Sequence, residues 1–242
     1  MPLTVSLRSL ASGLLIAATL LAAPCAQAGR EPHALDAALR AAAPDVPEAA
    51  LDAALDALDC ATASGDLQNA NRLALIDYSL PSVQPRLWVF DLQSRRLLFR
   101  EHVAHGRNSG ENFTQQFSNE EGSHRSSLGL FRTDTSYVGA NGYSLRLVGL
   151  DAGFNDRAMS RAIVMHGAPY VDARLAKKQG RLGRSWGCPA VRAAVARPMI
   201  DSLKNGQLLF SYYPDQKWLA HSRYLNCASA SRGRPPMALA SR

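Results

Sequence analysis

The hydrophobic positions of this chain change their spacing twice. An almost wholly apolar run covers residues 10–23, and residues 31–63 then repeat Ala, Leu and Asp at helical spacing. From Arg72 onward the apolar positions follow the shorter period of strands. This order predicts an apolar leader, two helices and a strand-rich domain.

The second predicted helix has the clearer pattern. Pro47 stands near its first turn, where proline is well tolerated, and Ser64-Gly65-Asp66 ends it. Its apolar face is made by Leu51, Ala54, Leu55, Leu58 and Ala61. We expect residues 29–66 to form a short helical annex that provides packing or a partner contact, without catalytic chemistry.

Strands are predicted throughout the middle of the chain. Runs typical of strands cover residues 73–78, 86–92, 97–99, 129–133, 143–150, 161–165 and 207–213. The polar turn at 93–96 predicts a hairpin, and the long polar segment 106–126 is typical of a functional or mobile loop. Mostly antiparallel strands with one or two helices indicate a mainly β or α+β domain over residues 67–227. The small and basic residues 228–242 are predicted to form a disordered tail.

The apolar leader has the parts of a secretory signal. Arg8 is the charge of its amino-terminal region, and Ala26-Gln27-Ala28 forms a cleavage site of small residues. The run is short for a membrane span, which disfavours an uncleaved anchor. Pro24 before Cys25 disfavours a lipoprotein site, where a small and flexible residue is preferred. We therefore expect residues 1–28 to be removed, leaving a periplasmic or cell-envelope protein with no membrane span.

The composition narrows the class of binding partner. The chain has 27 Lys and Arg against 20 Asp and Glu, a formal charge of +7, and +6 remains without Arg8. This balance suits acidic envelope polymers or anionic surfaces, although many secreted proteins share it. No basic run is interleaved with aromatic residues, so the sequence, together with the predicted export, argues against a nucleic-acid partner.

Three cysteines remain after the predicted cleavage, namely Cys60, Cys188 and Cys227. An odd number leaves at least one thiol without an intramolecular partner. In an oxidising compartment we expect a disulfide between Cys60 and Cys227 and a free thiol at Cys188. The alternative is that all three cysteines stay reduced.

Cys188 lies in the sequence Gly-Arg-Ser-Trp-Gly-Cys-Pro-Ala, which starts at Gly183. Proline favours the first position of a helix, and residues 190–195 are good helix formers. We therefore predict that Cys188 caps a helix, whose dipole lowers the pKa of the thiol. The amides of Gly187 and Cys188 are predicted to form an oxyanion hole, with the Ser185 hydroxyl as a further donor. The alternative is a buried structural cysteine between a loop and a helix.

His166 is the candidate general base for this thiol. It ends the apolar run 161–165, so a core strand would hold its ring rigidly beside a cleft. No acidic residue stands nearby to orient the ring, and the Gly167 carbonyl is the predicted substitute. His105-Gly106 repeats the pattern, and it is either a rival base or a residue that lines the substrate groove.

A metal site has also been considered among the histidines. The candidate zinc ligands are His102, His105, His124 and His166. A spacing of three on a strand points His102 and His105 to opposite faces, which argues against chelation by both. We therefore predict neither a metal nor any other cofactor.

The motifs together resemble a known family. His166-Gly167 followed by Ser185-x-Gly187-Cys188 resembles the active-site signature of the YkuD-type L,D-transpeptidases, enzymes that cross-link peptidoglycan. The run Gly-Arg-Ser-Trp-Gly-Cys-Pro is similar to a divergent branch of that family. Further similar stretches lie at 105–110, 117–119, 126–131 and 142–147, so the resemblance spans about residues 72–215.

The resemblance implies a YkuD-like β-sandwich catalytic domain that acts on peptidoglycan stem peptides in two acyl-transfer steps. Cys188 would attack the carbonyl of the third stem-peptide residue, expel the terminal D-residue and form a thioester. His166 would take the thiol proton and later activate the acceptor amine. The implied substrate-binding residues are Trp186, Arg184, His105 and Tyr143. A carbapenem is expected to form an adduct at Cys188.

Two positions depart from the better-known branch of the family. That branch has histidine in place of Trp186, and arginine or asparagine in place of Ala190. Trp186 cannot transfer protons, so we expect it to shape or cover the cleft, and Arg192 or Arg184 is the candidate for the missing polar contact. Two alternatives stay open. One is a murein L,D-carboxypeptidase or amidase with the same Cys–His site, and the other is an envelope protein that binds peptidoglycan without turnover.

Overall fold

The computed structural model describes Met1 and residues 34–227. Apart from Met1, the predicted signal peptide, residues 1–28, lies outside this range, as does the predicted tail, residues 228–242. The chain divides into two compact units, and the described helices and strands all belong to the second, Pro32–Arg242. No helix within residues 34–227 has the length and hydrophobicity needed to cross a bilayer.

The strands of the described chain form one sheet. They are β1 (Arg72–Asp77), β2 (Leu87–Asp91), β3 (Arg96–Glu101), β4 (Val103–Ala104), β5 (Gly129–Gly139), β6 (Gly142–Gly149), β7 (Val164–Ala168), β8 (Ala190–Arg192) and β9 (Leu208–Tyr212). Their order is β3-β2-β1-β9-β5-β6-β7-β8-β4, and the pairs β1–β9 and β7–β8 are parallel while most others are antiparallel. The edge strands β3 and β4 are separated in the chain by His102 alone, and the sheet is nearly closed into a barrel. The predicted α+β class is confirmed, with one curled sheet in place of two stacked sheets.

Helices cover both faces of the sheet. They are α1 (Ala34–Ala42), α2 (Glu48–Ala63), α3 (Ala173–Gln179), α4 (Ala193–Leu203) and α5 (Gln216–His221). Along β1, Leu73 and Leu75 join the hydrophobic cluster of α1 and α2, whereas Ala74 and Ile76 join the cluster of α4. Because successive strand residues point to opposite faces and both faces are covered, β1 is hydrophobic from Leu73 to Ile76.

The two N-terminal helices match the predicted positions, but they are part of the main core. Leu51 of α2 is fully buried in the same cluster as Trp88 of β2. The Cys60–Cys227 disulfide joins the last turn of α2 to the end of the described chain, across 167 residues. The helices thus provide packing for the sheet, which is one of the two roles predicted for residues 29–66.

The helix predicted directly after Cys188 begins later than expected. Ala190–Arg192 forms β8, which pairs in parallel with β7, and α4 starts only at Ala193. Ala190 and Val191 are fully buried, so strand pairing in the core overrides the helical preference of this segment. Cys188 therefore precedes a strand, and the predicted helix cap at the thiol is wrong.

Candidate active site

Strands β7 and β8 place His166 close to Cys188. The register pairs His166 with Ala190, so Cys188, two residues earlier, lies alongside Val164. The contact confirms this register, because the amide of Val164 lies 3.5 Å from Cys188 Sγ. His166 is on the same face of β7 as Val164, two residues further along the strand. His166 on β7 and Cys188, two residues before β8, thus occupy neighbouring positions of adjacent chain segments.

His166 presents one nitrogen to the protein backbone and keeps the other available. Its Nδ1 lies 3.0 Å from the carbonyl oxygen of Gly167, and Nε2 has no hydrogen-bond partner among the described residues. Since a carbonyl only accepts, Nδ1 carries the proton and Nε2 carries a lone pair. Burial lowers the pKa of His166, so the ring is neutral near pH 7 and is suited to accept a proton.

The thiol of Cys188 is held in a buried backbone niche. Only 8% of the residue is exposed, and Sγ lies 3.7 Å from the carbonyl oxygen of Ala162. Burial raises the pKa of Cys188, although the Val164 amide and the charge of Arg161 act in the opposite direction. The predicted lowering of the pKa by a helix is therefore wrong, and the thiol needs a base to ionise it.

Arg161 was not identified from the sequence, and it links the thiol to the long polar loop. Its guanidinium donates to the Ser118 carbonyl at 2.8 Å, the Ser127 hydroxyl at 2.5 Å, the Ser123 hydroxyl at 3.2 Å and the Arg125 carbonyl at 2.7 Å. Four acceptors in fork geometry suit arginine and no other side chain. The sequence signal is a cation at the start of the apolar run that ends in His166.

The turn before the thiol is shaped by Ser185 and Gly187. The Ser185 hydroxyl donates to the Cys188 carbonyl at 2.7 Å and accepts from the Gly187 amide at 3.1 Å. Gly187 has φ +117°, and a Cβ there would lie 2.7 Å from the Arg125 carbonyl oxygen, so only glycine fits. Two of the three predicted oxyanion donors, the Ser185 hydroxyl and the Gly187 amide, are already used within the turn. The Cys188 amide, which lies beside its own sulfur, is the remaining candidate.

His105 is neither a rival base nor a groove residue, which corrects the prediction. Its side chain is fully buried, with Nδ1 at 2.7 Å from Arg86 Nη2 and Nε2 at 3.1 Å from the Gly110 carbonyl oxygen. Arginine only donates, so Nδ1 accepts and the ring is neutral with both nitrogens occupied. Burial, followed by the charge of Arg86, lowers the pKa of His105 to about 4.

Residues 34–227 contain no group of three or more His, Cys, Asp and Glu side chains arranged to hold a metal. The rings of His102 and His105 bond to the carbonyl oxygens of Val83 and Gly110, at 3.1 Å in each case. These rings serve as hydrogen-bonding groups that fasten loop backbone.

The sequence profile of the YkuD-type L,D-transpeptidase catalytic domain matches residues 42–212. The chain belongs to this family. The matched range includes α2, in agreement with the packing of that helix into the core. Comparison with curated proteins gives no significant match.

Several solved structures are similar to the chain at low sequence identity. The chain is 13% identical to an L,D-transpeptidase from Mycobacterium smegmatis, with a TM-score of 0.38 over 60% of this chain and 59% of that protein. The helical cell shape determining protein Pgp2 from Campylobacter jejuni is 11% identical, with a TM-score of 0.42 over 71% of this chain and 58% of that protein. The L,D-transpeptidase LdtMt1, solved in complex with imipenem, is 13% identical, with a TM-score of 0.35 over 59% of each chain. This chain thus spans about three fifths of the length of these relatives.

Tyr143 lies on the opposite face of the sheet from the thiol, which corrects its predicted role. Ser144 is the cross-strand partner of His166, so Tyr143 points away from the imidazole. Its hydroxyl donates to Asp201 of α4 at 2.6 Å and pairs with the Ser136 hydroxyl at 2.9 Å. Tyr143 therefore fastens α4 to the sheet and does not face the substrate.

The two arginines considered for the missing polar contact are engaged elsewhere. Arg184 Nη1 donates to Glu111 at 2.6 Å and to the carbonyls of Gly110 at 3.0 Å and Arg107 at 3.1 Å. Arg192 forms a two-pronged ion pair with Glu101, at 2.8 and 2.5 Å. Neither contact reaches Cys188, so Arg184 acts on the loop conformation and Arg192 on the edge of the sheet.

Trp186 is the exposed member of the nucleophile turn. Its side chain is 67% exposed, although it stands only two residues before the buried thiol. The ring stacks on His124 with centroids 4.9 Å apart, and the guanidinium carbon of Arg107 lies 5.6 Å from its centre. Arg107 also donates to Nδ1 of His124 at 2.9 Å, so the three side chains support one another. The indole is thus held in a fixed position at the surface.

Proposed function

We propose that the protein is an exported L,D-transpeptidase that transfers acyl groups of peptidoglycan stem peptides through a thioester on Cys188. The observation that carries the proposal is the arrangement of His166 on β7 and Cys188 two residues before the parallel strand β8, with the imidazole tautomer fixed by Gly167. A neutral histidine beside a protonated thiol is the equipment of a Cys–His nucleophile. Export is inferred from the predicted signal peptide and gives the enzyme access to the cell wall.

The first step forms the thioester. His166 Nε2 takes the thiol proton while Cys188 Sγ bonds to the carbonyl carbon of the third stem-peptide residue. The carbonyl oxygen becomes an oxyanion next to the Cys188 amide. The bond from that carbon to the nitrogen of the terminal D-residue then breaks, and the imidazolium returns the proton to the leaving amine.

The second step transfers the acyl group to an acceptor. An amine of another stem peptide attacks the thioester carbon, and His166 Nε2 takes a proton from that amine. The carbon–sulfur bond breaks, and the proton returns to the thiolate.

The test is a muropeptide assay with product analysis by mass spectrometry. The mature protein and its Cys188→Ser variant are incubated with defined tetrapeptide muropeptides, and Leu175→Ala, an exposed change on α3, serves as a matched control. We expect cross-linked dimers with the wild type and the control, and none with Cys188→Ser. Monomers that only lose the D-residue would indicate a carboxypeptidase, and dimers formed by Cys188→Ser would contradict the mechanism.

A further inference from the structure

A groove of about 440 Å³ lies next to the nucleophile turn. Its walls are formed by residues 107–113, Gln115, Gln116 and Arg184. The Arg107 amide donates to the Ser185 carbonyl at 2.8 Å, and the Ser185 amide donates to the His105 carbonyl at 2.9 Å. The groove wall and the turn that carries Cys188 are therefore joined by backbone hydrogen bonds and keep a fixed relation to each other.

Two exposed aromatic rings flank this groove. Phe113 lines it and is 55% exposed, and Trp186 adjoins it through Arg107, which contacts the indole and also lines the groove. His124 and Arg107 hold the Trp186 ring, and 67% of that residue remains open to solvent. Exposed aromatic side chains that are already held in place lose little conformational entropy when a ligand stacks on them, which favours binding.

The polar lining of the groove is rich in carboxamides. Asn112 accepts from the Ser82 hydroxyl at 3.0 Å through its side-chain oxygen, which fixes its orientation. The side chains of Gln115 and Gln116 are exposed and make no hydrogen bond among the described residues. Carboxamides offer a donor and an acceptor side by side, which matches ligands that carry hydroxyl and amide groups.

The charged side chains of the groove are engaged with other groups of the protein. Glu111 is paired with Arg181 at 2.7 Å and with Arg184 at 2.6 Å. The remaining lining cation is Arg107, whose guanidinium is shared between Trp186 and His124. The charged side chains of the groove are therefore already committed to protein groups, so ligand recognition falls to its aromatic rings and carboxamides.

We propose that this groove, with Trp186 and Phe113 as stacking surfaces, binds a glycan of N-acetylated hexosamines. The apolar C–H face of a pyranose ring stacks on an indole or phenyl ring, and its hydroxyl and N-acetyl groups bond to the carboxamides. The role of this site in presenting stem peptides to Cys188 rests on the proposed function. Glycan binding itself requires no chemistry at the thiol, so the two proposals fail independently.

The test uses the full chain carrying Cys188→Ala, titrated with the β-1,4-linked tetramer of N-acetylglucosamine. Of the three tryptophans, Trp88 and Trp218 are fully buried, so a change in tryptophan fluorescence reports on Trp186. Calorimetry gives the affinity of variants that lack this residue. Cellotetraose, which has the same linkage and no N-acetyl groups, is the ligand control, and Leu175→Ala is the control for an exposed apolar change outside the groove.

We expect saturable binding of the N-acetylated tetramer, weakened about tenfold or more by Trp186→Ala and by Phe113→Ala, and unchanged in Leu175→Ala. Gln115→Ala, a change at an exposed side chain, is expected to weaken binding to a smaller extent. Absence of binding, equal affinity for cellotetraose, or wild-type affinity in both aromatic variants would overturn the proposal. An acyl adduct at Cys188 of the wild type, measured separately, tests the enzymatic function without reference to the groove.

Discussion

His105 and His166 are each followed by a glycine, and both are buried, yet their side chains have different roles in the protein. The ring of His105 is bonded through both nitrogens, to Arg86 and to the Gly110 carbonyl. The ring of His166 is bonded through Nδ1 alone, to the Gly167 carbonyl. His166 is therefore the candidate base, because its Nε2 has no hydrogen-bond partner among the described residues and can accept a proton, whereas both nitrogens of His105 are occupied.

The surroundings of the two rings explain this difference. Arg86 is fully buried and donates to the carbonyls of Leu80 and Val103 as well as to His105. Because burial of a guanidinium is costly without acceptors, His105 serves as one of the groups that compensate it. Among the interactions of His166 there is no comparable cation, and only burial and the Gly167 carbonyl affect its pKa.

The largest expected effect separates the two histidines by reactivity. We expect His166→Gln to slow acylation of Cys188 by a carbapenem by about 10²- to 10⁴-fold, because the general base is lost. His105→Gln is expected to keep a rate close to that of the wild type per folded molecule. The measurement is the rate of adduct formation, with circular dichroism to correct for folded fraction. A larger loss in His105→Gln than in His166→Gln would reverse the assignment.

A smaller effect is expected at Arg161. Removing its charge in Arg161→Gln raises the pKa of Cys188 further and releases the loop 118–127. We expect alkylation of the thiol by iodoacetamide to slow by about tenfold at pH 7, with the pH profile moved to higher pH. Arg161→Lys keeps the positive charge but loses the planar guanidinium that bonds to the loop. Its pH profile of alkylation is expected to lie between those of the wild type and Arg161→Gln. An unchanged profile in Arg161→Gln would remove this residue from the account.

The third prediction concerns the pH dependence of stability. The pKa of His105 is lowered to about 4 in the folded protein, below the unfolded value of 6.5, so the unfolded chain binds more protons between these two pH values. Stability from this group therefore falls as the pH drops from 6.5 towards 4. Over this range, we expect the free energy of unfolding of the wild type to fall by up to about 3 kcal/mol more than that of His105→Gln. Urea unfolding at several pH values measures this difference. Equal losses in both proteins would show that the His105 ring is not held neutral.

The smallest effect is expected at Tyr143, on the opposite face of the sheet from His166. Tyr143→Phe removes the hydrogen bonds to Asp201 and Ser136. We expect a loss of at most about 1 kcal/mol in the free energy of unfolding, because the Asp201 side of the contact is exposed. Acylation of Cys188 is expected to stay unchanged. A slowed acylation in a fully folded Tyr143→Phe protein would indicate coupling through the sheet.

Much of the fold follows from local sequence. The strand runs of β1, β2 and β9 are continuous and hydrophobic because both faces of the sheet are covered, and such runs are readily identified. The segment Pro189-Ala190-Val191-Arg192 misleads, since its helical preference is weaker than the pairing of β8 with β7. That pairing joins residues more than 20 positions apart, and no local pattern contains it.

The candidate site was predictable in its chemistry and less so in its supporting residues. The motif identifies His166 and Cys188, but the burial of His105 depends on Arg86, which lies far away in sequence. The predicted role of Tyr143 was wrong because successive residues of a strand point to opposite faces of the sheet. Only the pairing of Ser144 with His166 shows which face Tyr143 occupies. Arg161 acts through four acceptors in a loop between 118 and 127, and these contacts exist only in the folded chain.

The most direct test of the pairing between His166 and Cys188 is peptide mapping by mass spectrometry after incubation with a carbapenem. The account predicts one covalent adduct on the peptide that contains Cys188, formed rapidly in wild type and in His105→Gln, slowly in His166→Gln and never in Cys188→Ala. An adduct on another residue, or equal rates in wild type and His166→Gln, would contradict the assignment of Cys188 and His166 as the acyl-transfer pair.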